Sequence, residues 1–197
     1  MRVIPFLLSA GVAILAASAA VPSAFAQTSG SSSMSSEHTA MVGGAAMYPS
    51  KNIIDNAVNS KDHTTLVAAV KAAGLVETLE GPGPFTVFAP TNAAFDKLPP
   101  GTVAELLKPE NKATLAKILT YHVVAGRYTT ADLMKLVKRN EGQAKLKSVD
   151  GEPLTVTVKN GHLYVEGAKS GVAKITVPNV MQSNGVIQVV DSVLLPS

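Results

Sequence analysis

The sequence predicts an α+β domain, with a mainly helical front half followed by an antiparallel sheet. Between residues 52 and 79, apolar side chains recur at the i, i+4 spacing of a helix. After Asn140 the period changes to two, and apolar residues alternate with Thr and Lys over residues 154–159. Because helices and strands are segregated along the chain rather than alternating, a βαβ architecture is disfavoured.

The first 26 residues have the features of an export signal. Arg2 is basic, Val3 to Ala20 is apolar, and Ala24-Phe25-Ala26 fits a small-residue cleavage site. The alternative, a membrane anchor, is disfavoured because the apolar run is short and is followed by Pro22. We therefore expect a secreted or periplasmic protein that keeps no transmembrane segment after cleavage.

Residues 27–47 are rich in Ser, Gly, Ala and Met and lack apolar periodicity, which predicts a flexible linker before a domain at residues 48–197. The thioether and imidazole side chains of this linker are Met34, His38, Met41 and Met47. Such groups bind copper in oxidising compartments, so a copper-binding envelope protein is an alternative function. Their spacing matches no fixed coordination pattern, and we expect no resident cofactor.

Local signals mark the ends of the predicted helices. Gly74 is suited to a helix C-terminus, because glycine adopts the left-handed conformation without steric cost. Residues 102–105, Thr-Val-Ala-Glu, have the sequence of a capping box. Pro109 suits the first position of the next helix. Thr129 is placed to cap a helix over residues 130–138.

The predicted strands are short and bounded by turn residues. Residues 85–89 form a buried strand that Pro90 ends, and residues 121–124 are predicted as a second short strand. Asn160-Gly161 is the strongest hairpin signal in the chain. A second turn, at residues 183–185, leads into the last strand.

Catalytic motifs are missing from the sequence. It contains no G-x-S-x-G, no phosphate-binding lysine loop and no H-E-x-x-H. It also contains no Cys, which excludes disulfides, a thiol nucleophile and thiolate metal sites. The formal net charge of +3 comes from scattered basic residues, which argues against nucleic-acid binding. We therefore expect a protein that is not an enzyme.

His122 is the unusual histidine, because it lies inside the apolar run 119–124. We expect a part-buried core histidine that is hydrogen-bonded to a polar group, with Asn92 and Asp191 as candidate partners. A ligand-binding or catalytic role is the alternative. Two other histidines are expected in solvent, and these are His63 and His162.

Three segments together resemble the fasciclin domain in order and separation. They are TVFAPTNAAFDKLP at 86–99, YHVVAGRYTTADL at 121–133 and NGVIQVVDSVLLP at 184–196. The resemblance covers about residues 48–197. It implies a fasciclin-like wedge or sandwich of antiparallel strands with several helices packed along one side, and adhesion or binding rather than catalysis.

The resemblance also implies a set of binding residues. In animal members, receptor recognition is associated with a Tyr-His pair and with an Asp-Ile pair before the last strand. Tyr121 and His122 match the first pair, and Asn179 and Val180 stand at the position of the second. Many members have His where this chain has Gln188.

The same resemblance implies that the strand-to-helix corner at 86–99 is structural, although such corners hold nucleophiles or phosphates in many enzymes. Phe88 and Phe95 would pack inward, and polar side chains would tie the strand to the helix. The residues assigned to this structural motif are Phe88, Thr91, Asn92, Phe95 and Asp191.

These observations predict a monomeric, secreted or periplasmic adhesion module. Its expected partner is a surface protein or a polysaccharide rather than nucleic acid. The copper-binding linker is the second hypothesis. A small-molecule hydrolase is the third, and it would require a pocket with convergent polar groups.

Overall fold

The computed structural model describes residues 39–169 and 171–197, so the predicted export signal, Met34 and His38 lie outside the described residues. The helices of the described part are α1 (Ile53–Ala57), α2 (Thr64–Ala73), α3 (Val76–Glu80), α4 (Asn92–Asp96), α5 (Thr102–Leu106), α6 (Lys112–Tyr121) and α7 (Thr130–Arg139). The strands are β1 (Ala40–Val42), β2 (Ala45–Met47), β3 (Phe85–Pro90), β4 (Val123–Ala125), β5 (Gln143–Lys147), β6 (Pro153–Lys159), β7 (His162–Glu166), β8 (Val172–Gln182) and β9 (Gly185–Val190).

Seven strands form one sheet in the order β4-β3-β9-β8-β7-β6-β5. Every neighbouring pair is antiparallel except β3 and β9, which run parallel. The two outer strands also approach each other, because Val124 bridges to Ser148 and the Val149 N–H donates to the Val123 carbonyl at 2.7 Å. The sheet is therefore close to a barrel, and the predicted α+β class is confirmed.

The central strands separate two apolar cores. Along β9 every residue is buried, since one face of the strand packs under the helices and the other faces the barrel interior. Ile187 and Val189 belong to the core shared with α1, α2 and α6, whereas Val190 belongs to the barrel core. Burial on both faces explains why β3 and β9 are nearly continuous apolar runs rather than alternating ones.

An N-terminal hairpin occupies residues that we assigned to the linker. Strands β1 and β2 pair from Ala40↔Met47 to Val42↔Ala45. Val42 and Met47 are buried in the helical core. The prediction of a flexible linker extending to residue 47 is therefore wrong for residues 40–47, because two apolar side chains are enough to attach this hairpin to the core.

Two helix starts show how local signals compete. The box predicted at residues 102–105 does not form, because Gly101 in the left-handed conformation precedes the helix and Thr102 is already its first residue. The cap predicted at Thr129 is confirmed. Its hydroxyl accepts from the Asp132 N–H, and the Asp132 carboxylate accepts from the Thr129 N–H.

The predicted strand at 121–124 begins two residues later than expected. Helix α6 continues through Tyr121, and the His122 N–H still bonds to the Ile118 and Leu119 carbonyls. The His122 ring also bonds to the Ile118 carbonyl, which holds this residue in a helical conformation. Tyr121 and His122 therefore lie at the end of a helix.

The corner at residues 86–99 is held by its own polar side chains. The Thr91 hydroxyl caps α4 by accepting from the Ala94 N–H at 3.3 Å. The Asn92 amide donates to the Lys61 carbonyl at 2.8 Å and accepts from the Thr65 N–H at 3.1 Å. These bonds attach the corner to the start of α2.

The two aromatic residues of the corner are buried on opposite sides of the sheet. Phe88 is fully buried in the barrel core, and Phe95 is 6% exposed in the helical core.

Replacing Phe95 with Ala should lower the free energy of unfolding by roughly 3–5 kcal/mol, measured by denaturant titration, because the cavity left behind is surrounded by packed helices. The matched control is Val58→Ala, at a side chain that is 47% exposed, where the change should stay within about 0.5 kcal/mol. Equal effects of the two substitutions would contradict the core position of Phe95.

Candidate binding surface

Tyr121 is fully buried and connects three parts of the chain. From the end of α6 its hydroxyl donates to the Pro153 carbonyl at 3.1 Å and accepts from the Ala168 N–H at 3.0 Å. Burial raises the pKa of this hydroxyl above its ordinary value, so Tyr121 stays a neutral donor at physiological pH. Its position prevents direct contact with a partner.

His122 is 2% exposed, and both of its ring nitrogens are bonded to backbone. Nδ1 donates to the Ile118 carbonyl at 2.8 Å, and Nε2 accepts from the Leu194 N–H at 2.9 Å. This pair of bonds requires the neutral ring with its proton on Nδ1. Burial lowers the pKa of His122 to about 4, against a smaller opposing effect of the Ile118 carbonyl. The expectation of a buried, hydrogen-bonded core histidine agrees with this geometry.

The partners predicted for His122 are wrong. Asn92 bonds to the start of α2, as described above. Asp191 accepts from the Lys174 N–H at 2.9 Å and lies 3.6 Å from the Lys97 ammonium. Backbone groups bond to His122 instead, because the last turn of α6 and the C-terminal segment both reach the ring.

His63 was expected in solvent but is 3% exposed. Its Nδ1 lies 2.9 Å from the Ser60 hydroxyl, within the short turn that precedes α2. Burial lowers the pKa of His63, and the neighbouring Asp62 carboxylate partly opposes this shift. The helical core covers this turn, which local sequence does not show. His162 is exposed, as expected.

Asn179 lies at a bulge in β8 and has a positive φ of 56°, a conformation that Asn tolerates better than most residues. Its side-chain oxygen accepts from the Thr130 N–H at 2.8 Å, and its amide donates to the Thr130 hydroxyl at 2.6 Å. Asn179 therefore fastens β8 to the start of α7. Val180 is fully buried in the helical core.

Two buried polar side chains hold the loop between β4 and α7, at residues 126–129. Gln188 accepts from the Asn179 N–H and donates to the Tyr128 carbonyl, both at 3.0 Å. Thr86 donates to the Gly126 carbonyl at 2.6 Å and accepts from the Tyr128 N–H at 2.9 Å. Tyr121, His122 and Val180, which the fasciclin resemblance marked for binding, are buried, and the surface nearest to this network is the 126–129 loop.

Three loops meet at one edge of the sheet and form an open cleft of about 670 Å³, which we call the three-loop cleft. Strands β3 and β9 are parallel and both begin at this edge, whereas β4 is antiparallel and ends there. The loop before β3, the turn before β9 and the loop after β4 must therefore lie together. The cleft is lined by Asn52, Glu80, Gly81, Pro82, Gly83, Pro84, Arg127, Ser183 and Asn184.

Asn184 fixes one wall of the three-loop cleft. Its side chain accepts from the Ile53 N–H at 3.1 Å and donates to the Leu79 and Gly81 carbonyls at 2.7 and 3.2 Å. The wall is so close that a Cβ atom at Gly83 would lie 1.9 Å from the Asn184 carbonyl oxygen. Glycine at position 83 is required by this close approach.

Arg127 is the exposed cation of the cleft. Its guanidinium makes one long hydrogen bond, 3.5 Å to the Gln182 carbonyl, and it forms no salt bridge with any described residue. Most of its five N–H donors are therefore open to a ligand. Sequence reasoning missed Arg127 and Ser183, because an isolated polar residue in a loop carries no motif.

The described residues were searched for metal-ligating clusters and for membrane-spanning helices. Within 39–169 and 171–197, no three His, Asp or Glu side chains are grouped closely enough to hold a metal ion. Of the methionines proposed for copper, Met47 is buried and thus unsuitable, and Met41 is 62% exposed. No helix in the same ranges is long and apolar enough to cross a bilayer.

Comparison with known proteins gives consistent matches. The family model described as "Fasciclin domain" matches residues 61–196. Protein sll1483 of Synechocystis sp. is 48% identical over 160 residues, covering 81% of this chain and 82% of that protein. The cell surface glycolipoprotein MPB83 of Mycobacterium bovis is 35% identical over 164 residues, covering 79% and 64%. A solved FAS1 domain pair from the insect cell adhesion molecule Fasciclin I has a similar fold, with a TM-score of 0.67 and 20% identity over 75% of this chain and 52% of that one.

The geometry of His122 predicts sensitivity to acid. Between pH 6.5 and 4 the unfolded histidine takes up a proton, whereas the folded one, with a pKa of about 4, stays neutral. The contribution of His122 to the free energy of unfolding is therefore constant above pH 6.5. It should lower that free energy by about 3 kcal/mol as the pH approaches 4. Denaturant titrations across this range measure the loss.

Two substitutions assign this loss to His122. At pH 7, His122→Ala should cost about 1–3 kcal/mol, because the Leu194 N–H loses its acceptor, and it should flatten the acid dependence. The remaining slope comes from His63, which is also buried with a lowered pKa, and from the carboxyls of Glu152 and Asp132, whose pKa values are lowered by hydrogen bonds. The control His162→Ala, at an exposed position, should leave the profile unchanged. An unaltered slope in His122→Ala would show that another group titrates.

Proposed function

The chain belongs to the fasciclin domain family, and from this premise we propose that it is an exported interaction module. It binds a polysaccharide or a protein of the cell surface or extracellular matrix and does not catalyse a reaction. The observation that supports this function best is the three-loop cleft. Loops held by a rigid sheet are a common place for binding residues, and the volume of the cleft is in the range of ligand sites.

The lining of the cleft favours binding over catalysis. Its titratable side chains are one carboxylate, Glu80, and one guanidinium, Arg127. Ser183 shares this lining with no histidine, and His63 and His122 are buried elsewhere in the described domain. General acid–base chemistry needs groups that can exchange protons near neutral pH, and an arginine does not do so.

An extracellular location is supported by two independent observations. Residues 1–26 have the sequence features of an export signal, although they lie outside the described residues. The M. bovis relative is named a cell surface glycolipoprotein, and the insect protein of similar fold is named a cell adhesion molecule. We propose that the mature chain, beginning at Gln27, functions outside the cytoplasm.

Retention on the immobilised chain, residues 27–197, tests this function. Separate polysaccharide and protein fractions of the cell envelope and matrix are passed over the folded chain and over a heat-unfolded control. A component should be retained by the folded chain alone, because the cleft exists only when the three loops are assembled. Absence of any folded-specific retention would refute the interaction role.

A pair of variants locates the binding site. Ser183→Trp should abolish retention, because a large side chain at this exposed position fills the cleft without disturbing either core. Lys145→Trp places the same side chain at an exposed position of β5 and should retain the component like the unchanged chain. Equal retention by both variants would place the binding surface outside the cleft.

A further inference from the structure

The inference that follows rests on the proposed function and names its ligand. We infer that the three-loop cleft binds a carboxylate-bearing sugar, the uronate unit of an acidic polysaccharide. Arg127 pairs with the carboxylate, while the amide and hydroxyl groups of the cleft lining bind the hydroxyl groups of the sugar.

Arg127 gives the cleft a group that can pair with an anion. It forms no salt bridge with any described residue, including Glu80, the one carboxylate of the cleft lining. The planar guanidinium of arginine matches a carboxylate with two parallel hydrogen bonds. Within the part of the chain that the structure describes, Arg127 makes only the long bond to Gln182, so this pair of donors is available.

The peptide between Gln182 and Ser183 holds the turn before β9 in place. Its N–H donates to the Lys51 carbonyl at 2.9 Å, and its carbonyl accepts the long bond from Arg127 on the opposite side, because the N–H and C=O of a trans peptide point apart. The backbone that carries Ser183 is therefore fixed at the cleft.

The lining suits a sugar better than a protein partner. Protein interfaces depend on aromatic or aliphatic anchors that fill desolvated pockets. The apolar side chains of this lining are those of Pro82 and Pro84, both exposed. The other groups are hydroxyl, amide and charged groups. Asn52 accepts the Asp55 N–H through its oxygen at 2.8 Å, which leaves its amide nitrogen as a donor for a sugar hydroxyl.

The cleft is also preorganised, which lowers the entropic cost of binding a flexible chain. Asn184 fixes the wall formed by Gly81. Thr86 and Gln188 hold the backbone on both sides of Arg127, through Gly126 and Tyr128. The ligand therefore has to order the Arg127 side chain but not the loop that carries it.

Binding of defined probes to residues 27–197, measured by calorimetry, tests the inference. The probes are an oligogalacturonate, a neutral galacto-oligosaccharide of equal length and a glutamate-rich peptide of equal charge. Only the oligogalacturonate should bind specifically. Arg127→Gln should weaken its binding by about tenfold or more, as expected for the loss of charge-assisted hydrogen bonds. The matched control, Lys147→Gln on β5, removes the same charge at an exposed position away from the cleft and should leave the affinity unchanged.

The alternative outcomes separate this inference from the proposed function. Stronger binding of the peptide, or equal binding of the neutral sugar, would overturn the uronate assignment. Equal weakening by Arg127→Gln and Lys147→Gln would show non-specific attraction to charge and would overturn the site. If the envelope fractions are retained but oligogalacturonate does not bind, the ligand class is wrong and the interaction role stands. If neither is retained, both fail. Equal melting temperatures of the variants exclude unfolding as the cause.

Discussion

The parallel pairing of β3 with β9 is the constraint on which the rest of this domain depends. It joins Phe85↔Gly185 through Pro90↔Val190, and it places both strands between two apolar cores. Because parallel strands start at the same edge of a sheet, the pairing also brings the segments before both strands together. The stability of the fold and the position of the three-loop cleft therefore have the same origin.

Around these strands, buried polar side chains connect separate elements of the domain through hydrogen bonds. His122 joins the end of α6 to the C-terminal segment, while Gln188 and Asn179 join β9 and β8 to α7 and the preceding loop. A buried polar group that loses its partner costs about 1–3 kcal/mol, so each of these hydrogen bonds keeps the two elements that it joins in position. Of the residues marked by the fasciclin resemblance, Asn179 acts on the 126–129 loop, through its hydrogen bonds to Thr130 and Gln188.

Most features specified by neighbours in the sequence were predictable, the capping box at residues 102–105 excepted, and features specified by distant contacts were not. The Gly74 helix end, the Thr129 cap and the Asn160-Gly161 hairpin depend on backbone preferences within a few residues, and all are present. Burial of His63 and attachment of the 40–47 hairpin depend on the helical core. The three-loop cleft depends on strand register, which relates residues about a hundred positions apart.

The position of β9 in the middle of the sheet has a consequence for how the protein is made. Its neighbours β3 and β8 cannot complete the sheet until residues 185–190 have been synthesised, because those residues fill the gap between them. Contacts between such distant segments are also slow to form. The facing edges of β3 and β8 therefore stay without a partner until this segment has joined them, and the two apolar cores on either side of β9 are completed in the same step.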